Sequence, residues 1–187
     1  MSFLEGAACL PIIEFDDWRF RPVMANDAEA LFVVFGDEEV CRYWSRPALA
    51  DLGEAKQLAA EIEELFQKRE LFQWALVRAN EDRLVGTGTL ASLDPVHRRA
   101  EVGFALARSE WGSGVMRCAV TELLRFGLDV LDLHRIEAEV DPRNEASIRI
   151  LEGNGFIREG YRREAYFHNN EIQDSVSYAL LEREFPK

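Results

Sequence analysis

Two glycines separated by one residue stand between a tryptophan and a helix-like run in "SEWGSGVMRCAV" (residues 109–120). Glycines at such a junction let backbone come close to an anion, and the first amides of a helix point outward without intrahelical partners, favouring negative charge. Three phosphate chemistries compete for this stretch. A nucleotide P-loop needs Lys-Ser/Thr after its last glycine, but Gly114 is followed by Val115-Met116-Arg117. A dinucleotide fingerprint needs a third glycine where Arg117 stands, and Asp141 lies further on than the usual ~20 residues for a ribose-binding acid. What is left is a loop and helix N-terminus grasping a pyrophosphate, with Gly112 and Gly114 keeping the cradle clear and Ser113 small enough to leave it open. Taken alone, the hexapeptide fits a plain glycine turn with Ser113 as helix cap better than a cradle.

A carboxylate precedes this loop. In "AEVGFAL", alternation puts Val102, Phe104 and Leu106 on one face of a strand and leaves Glu101, Gly103 and Ala105 on the other. An acid beside two small residues lines an open cleft and serves as a base, or it is a solvated strand residue; both readings stand. Further on, Asn144 begins "NEASIRILEGNGF", where it caps a helix and Ser147 supports the first turn.

The elements that must position these residues read as mixed α/β. "WRFRPV" (18–23) is a first strand; "ANDAEALFVVF" is a helix with Asn26 or Asp27 as N-cap and Ala28, Leu31, Phe32 and Phe35 on one face. "LGEAKQLAAEIEELFQKRE" is a second helix with Leu58, Ile62, Leu65 and Phe66 on its apolar stripe. Strand-like segments at 71–79, 83–93 and 99–107 are joined by Asn80-Glu81-Asp82 and Asp94-Pro95, which predicts antiparallel hairpins. A long amphipathic helix from Val115, the strand "HRIEAEVD", a helix ending at Gly153 or Gly155, and two strands around an Asn169-Asn170 turn complete the chain.

These segments and motifs together resemble the GNAT superfamily of N-acetyltransferases, in particular its RimJ/RimL-type branch. "WGSGVM" is similar to the family's coenzyme A pyrophosphate loop, with Trp111 and Met116 as variants of its usual ends. Asn144-x-x-Ser147 and Gly155-Phe156 match its second motif, and "RFRPVMANDAEALF" its opening strand and helix. The likeness runs from about residue 15 to 182. It implies a single domain over 1–187, with a twisted, mostly antiparallel sheet of about six or seven strands flanked by about four helices. It implies acetyl-CoA as donor, bound by Trp111, Gly112, Ser113, Gly114, Val115, Met116 and Asn144 and by strand amides at Phe104, Ala105 and Leu106. Glu101 would be the base, and Ser147 would hydrogen-bond the departing sulfur. The tyrosine that many relatives carry seven residues after the Asn is Leu151 here.

The implied reaction is acetyl transfer to a primary amine by direct attack in a ternary complex. A peptide α-amine, with pKa ~7.7–8.0 against ~10.4 for lysine, is the easier nucleophile to free near neutral pH. A protein or peptide N-terminus is therefore the expected acceptor. A small amine such as an antibiotic or polyamine is the alternative, and a coenzyme A-binding module without catalysis the rival of another class.

Bulk composition agrees. With 34 acidic and 22 basic residues, the formal charge of −12 repels nucleic acid and anionic membrane and attracts amines. Cys9, Cys41 and Cys118 show no CxxC spacing, and the three histidines are scattered, so neither disulfide framework nor metal site is expected. The acids in the first residues are unlike a signal peptide, and no apolar run approaches the ~20 residues of a membrane span. A cytoplasmic protein results, and the branch resemblance adds a homodimer as one possible state.

Overall fold

The computed structural model describes residues 5–44, 46–168 and 171–185; the Asn169-Asn170 turn expected above lies outside them. One eight-stranded sheet has the order β1-β2-β3-β4-β5-β6-β8-β7. Its strands are β1 (Ile13–Phe15), β2 (Trp18–Pro22), β3 (Leu71–Arg78), β4 (Leu84–Asp94), β5 (Arg99–Leu106), β6 (Arg135–Val140), β7 (Ile157–His168) and β8 (Glu171–Leu181). The helices are α1 (Ala28–Phe35), the single turn α2 (Glu38–Cys41), α3 (Leu52–Gln67), α4 (Val115–Arg125) and α5 (Glu145–Gly153). Every strand pairing is antiparallel except β5 with β6, which the crossover through α4 makes parallel.

Both faces of the sheet are covered. On one, Val120, Leu123 and Leu124 of α4 and Leu151 of α5 pack with Phe20, Phe72, Trp74, Leu90 and Ile136. On the other, Leu31, Val34 and Phe35 of α1 and Ala55 and Ala59 of α3 pack on Ala75, Val77 and Ala105. Central strand β3 is buried along most of its length because both layers need it.

Several expectations shift in detail. The sheet has one more strand than seven, because Asp16, at φ 47°, turns the chain into the short β1–β2 hairpin. The turn α2 likewise adds a fifth helix. Asp27 precedes α1 but does not cap it: its buried carboxylate takes two bonds from Arg21 (2.7 and 2.8 Å) and one from the Met24 amide (2.8 Å). On α1 Val34 takes the fully buried place expected for Phe32, which is only half-buried, and on α3 Ala55 and Ala59 outrank Leu58 and Leu65. The helix from Val115 is regular only to Arg125; Phe126–Val130 form a wider turn in which the Leu131 amide bonds the Phe126 carbonyl. Gly127 permits this, since a Cβ there would lie 3.2 Å from Leu133 and Ile136 side chains. α5 ends at Gly153, while Gly155, at φ 88°, turns the chain into β7.

Among the described residues, no helix is long and apolar enough to cross a membrane, and no cluster of His, Cys, Asp and Glu suits a metal ion.

Candidate active site

The site lies where the sheet parts. β5 and β6 pair only over Arg99–Glu101 and Arg135–Glu137. From Val102 onward β5 has no ladder partner on that side, and from Ala138 onward β6 turns its free edge the same way, so a cleft opens between them. Its donor side, a cavity of about 680 Å³, is walled by Phe104, Ala105 and Leu106, by Trp111, Gly112, Gly114 and Met116, and by the first turn of α5. A second cavity of about 220 Å³ lies on the sheet side, against Glu101, Gly103, Glu139, Tyr166, Gln173 and Ser175. Tyr43, Trp44, Phe104, Asn144 and Ser147 border both.

The glycine loop has the geometry of an anion cradle. Gly112 (φ 77°) and Gly114 (φ 80°) are left-handed, a conformation that costs an L-residue ~1–2 kcal/mol. A Cβ at either would meet no atom within 4 Å, so both face open space. The Trp111 indole N–H donates to the Leu106 carbonyl (2.9 Å), fastening the loop to the end of β5. Ser113 folds back, its hydroxyl donating to the Glu110 carbonyl (2.7 Å) and reaching the Val115 amide only at 3.4 Å. Ser113 is therefore not the strong helix cap that the isolated hexapeptide suggests; Gly114 occupies the N-cap position without a side chain. The amides of Ser113 and Arg117 are bonded within the loop, whereas those of Gly112, Gly114 and Met116 have no partner among the described residues. Alternating free amides at a helix N-terminus make an anion site. Arg117, Arg143 and Arg149 border the same cavity; Arg143 and Arg149 are paired with Asp141 and Glu145, while Arg117 bonds the Gly153 carbonyl.

Opposite the loop, Asn144 caps α5: its Oδ1 accepts from the Ser147 amide at 3.1 Å. The half-buried Ser147 hydroxyl is left at the junction of the two cavities. Leu151, where many relatives have tyrosine, is buried and adds an apolar surface to the smaller cavity.

The smaller cavity is acidic. Glu101 is half-buried at its rim; burial, then the negative charges of Glu139 and Glu137, push its pKa above the ordinary value, partly offset by the Ser92 hydroxyl. The other carboxylates there are already engaged. Burial works against ionised Glu139, but bonds from Ser175 and Ser177 (the latter 2.8 Å) and Arg162 at 3.3 Å hold its pKa below normal. Asp141 is clasped by Arg143 (2.7 Å), and Asp174 accepts from Tyr161 (2.5 Å) and the Glu164 amide (2.8 Å). Glu101 alone of the four has no cation or strong donor among the described residues.

Alternation along β5 is as expected: Val102, Phe104 and Leu106 face the α4 layer. Of the opposite face only Glu101 and Gly103 open to the smaller cavity, since Ala105 is sealed against α1 and α3. In the sequence, Trp44 and Tyr166 read only as residues of the core or the cleft wall, and Tyr43, Glu139, Gln173 and Arg149 carry no site signal of their own. "VCRYWSRP", with two large aromatics amid charge, was the one available hint of Tyr43 and Trp44.

An open sheet parted at one parallel pair thus sets unpaired loop amides, suited to an anion, on one side of the cleft and a free carboxylate, suited to a cation, on the other. Residues 18–157 match the Acetyltransferase (GNAT) domain, and the chain belongs to that family. It is 31% identical over 171 residues to the uncharacterised N-acetyltransferase YoaA of Bacillus subtilis (strain 168), covering 91% of this chain and 97% of that one. Two solved structures share the fold. The ribosomal-protein-S5-alanine acetyltransferase of Vibrio fischeri has a TM-score of 0.79 at 24% identity, over 95% of this chain and 100% of the other. The spermidine N-acetyltransferase of Vibrio cholerae, solved with CoA and spermine, has a TM-score of 0.80 at 21% identity, over 90% and 97%. This chain is an acetyl-CoA-dependent N-acetyltransferase of that family.

Proposed function

We propose that the acceptor is the α-amine of a peptide or protein N-terminus, entering through the smaller cavity. The observation that carries this reading is the state of the four carboxylates there. Asp141, Asp174 and Glu139 are each held by an ion pair or hydrogen bonds from the chain itself, leaving Glu101 as the one carboxylate of the four with no cation or strong donor of its own among the described residues to meet an incoming ammonium. One free carboxylate suits one ammonium group; a polyamine, with cations along its length, would leave the others unmatched.

The donor supplies an acyl thioester. The amides of Gly112, Gly114 and Met116 hold its pyrophosphate, the free edge of β5 at Phe104–Leu106 aligns its arm, and Ser113, Val115 and Trp111 shape the loop. Glu101 accepts the proton of the ammonium, directly or through water, freeing the nitrogen to attack. A raised pKa suits this, since burial and the charge of Glu139 make this carboxylate more basic than an exposed glutamate. Ser147 donates a hydrogen bond to the departing sulfur, a modest demand because a thiol of pKa ~8.5 leaves readily.

Release of free thiol from acetyl-CoA, followed with N-terminal peptides and with spermidine, tests the reading. Peptides should show the higher kcat/KM. Turnover of spermidine alone would assign the enzyme to small polycations, as the activity of the Vibrio cholerae spermidine N-acetyltransferase would favour.

A further inference from the structure

Gln173 of β8 is 7% exposed and borders the acceptor cavity. Its neighbours on that face of β8, Ser175 and Ser177, both donate to Glu139, whereas the Gln173 carboxamide makes no hydrogen bond among the described residues. Its polar atoms are not sealed off, so the carboxamide is open to the cavity it lines and is free to bond whatever enters there. Its surroundings are built. Across the β7–β8 ladder Gln173 lies opposite Tyr166, which lines the same cavity. That register exists because Arg163, Glu164 and Ala165 bulge against Asp174 alone, with Glu164 at φ 54° and its amide held by the Asp174 carboxylate. The bulge advances Tyr166 into line with Gln173.

We propose that Gln173 is a specificity residue that reads the first peptide group of the acceptor, its Oε1 accepting the peptide N–H one residue beyond the attacking amine, with Tyr166 forming the adjoining wall. This rests on the N-terminal reading above and deepens it. A carboxamide carries one acceptor and two donors, the complement of a peptide group, and a polyamine offers no carbonyl to its donors. Such a carboxamide discriminates strongly, because an acceptor that fills the cavity without the matching group takes it from water and leaves it unpaired in the complex.

The test is a double-mutant cycle on the full chain, with a tripeptide and its analogue carrying an ester in place of the first peptide bond. Gln173→Leu should lower kcat/KM for the tripeptide about 10-fold, the ester should cost the wild type about as much, and the two together no more than either. Melting temperature should be unchanged in Gln173→Leu, since the carboxamide makes no hydrogen bond among the described residues of the free enzyme; Gln173→Met repeats the measurement should leucine disturb the strand. Additive losses, equal losses on both acceptors, no loss, or a lowered melting temperature would overturn the proposal while leaving the N-terminal acceptor intact. Wild-type turnover of spermidine but of no peptide would overturn both.

Discussion

Glu101 and Glu139 stand on the two strands that part to form the site, and the charge of one raises the pKa of the other. Glu139 is kept ionised by Ser175, Ser177 and Arg162, so it acts as a fixed negative charge beside a titrating one. Activity should therefore fall as pH drops through a Glu101 pKa lying above the usual glutamate value. Glu139→Gln removes the fixed charge and should move that acid limb to lower pH, while Glu101→Gln should abolish the limb and lower kcat/KM by ~10²-fold or more. A pH–rate profile of kcat/KM for each variant checks this; a limb that survives in Glu101→Gln would assign the base elsewhere.

The same shift has a stability consequence of opposite sign. A carboxyl whose pKa is higher folded than unfolded binds more protons in the native state, so folding weakens as pH rises through that window. Glu101→Gln should raise the melting temperature at neutral pH and have little effect at acid pH, where both states are protonated. Thermal unfolding at the two pH values measures it, and the gain beside lost activity would mark a residue kept for chemistry.

Gly114 carries the donor side. Gly114→Glu adds strain at φ 80° and a negative charge facing the cradle amides. Affinity for acetyl-CoA should fall at least about 10-fold, roughly the sum of backbone strain and repulsion. Turnover of a donor truncated before the pyrophosphate should change little. Calorimetry and the truncated-donor rate together separate a lost cradle from a misfolded loop.

What could be read in the sequence and what could not divides along physical lines. The glycine loop, the Asn144 cap and the alternation around Glu101 depend on neighbours a few residues away, so spacing reveals them. The meeting of Glu101 with Glu139 depends on how β5 and β6 diverge, and the placing of Tyr43 and Ser147 on the same cavities depends on how the chain after α2 and the helix α5 pack around that cleft, which no local pattern records. Gln173 is the extreme case: nothing in "EIQDSVSY" distinguishes it from a solvated strand glutamine until the bulge at Glu164 sets its partner. Asp27 shows the converse, a residue with the right type and place for a helix cap that a buried arginine claims instead.

That arginine makes the last prediction. Arg21 and Asp27 are nearly inaccessible (side chains 7% and 6% exposed), and Arg21 also reaches Asp82 at 2.9 Å and its carbonyl at 2.8 Å. The bond to Asp27 above all keeps Arg21 more firmly charged than usual. Removing Asp27 leaves a buried guanidinium with only the half-exposed Asp82 carboxylate, so Asp27→Ala should cost about 3–5 kcal/mol of folding stability. Asp82→Ala, which leaves the inner pair intact, should cost far less, because exposed ion pairs are worth little. Urea unfolding of the two variants distinguishes them, and equal losses would show that Asp82 rather than Asp27 is the counter-ion on which the β2–α1 corner depends.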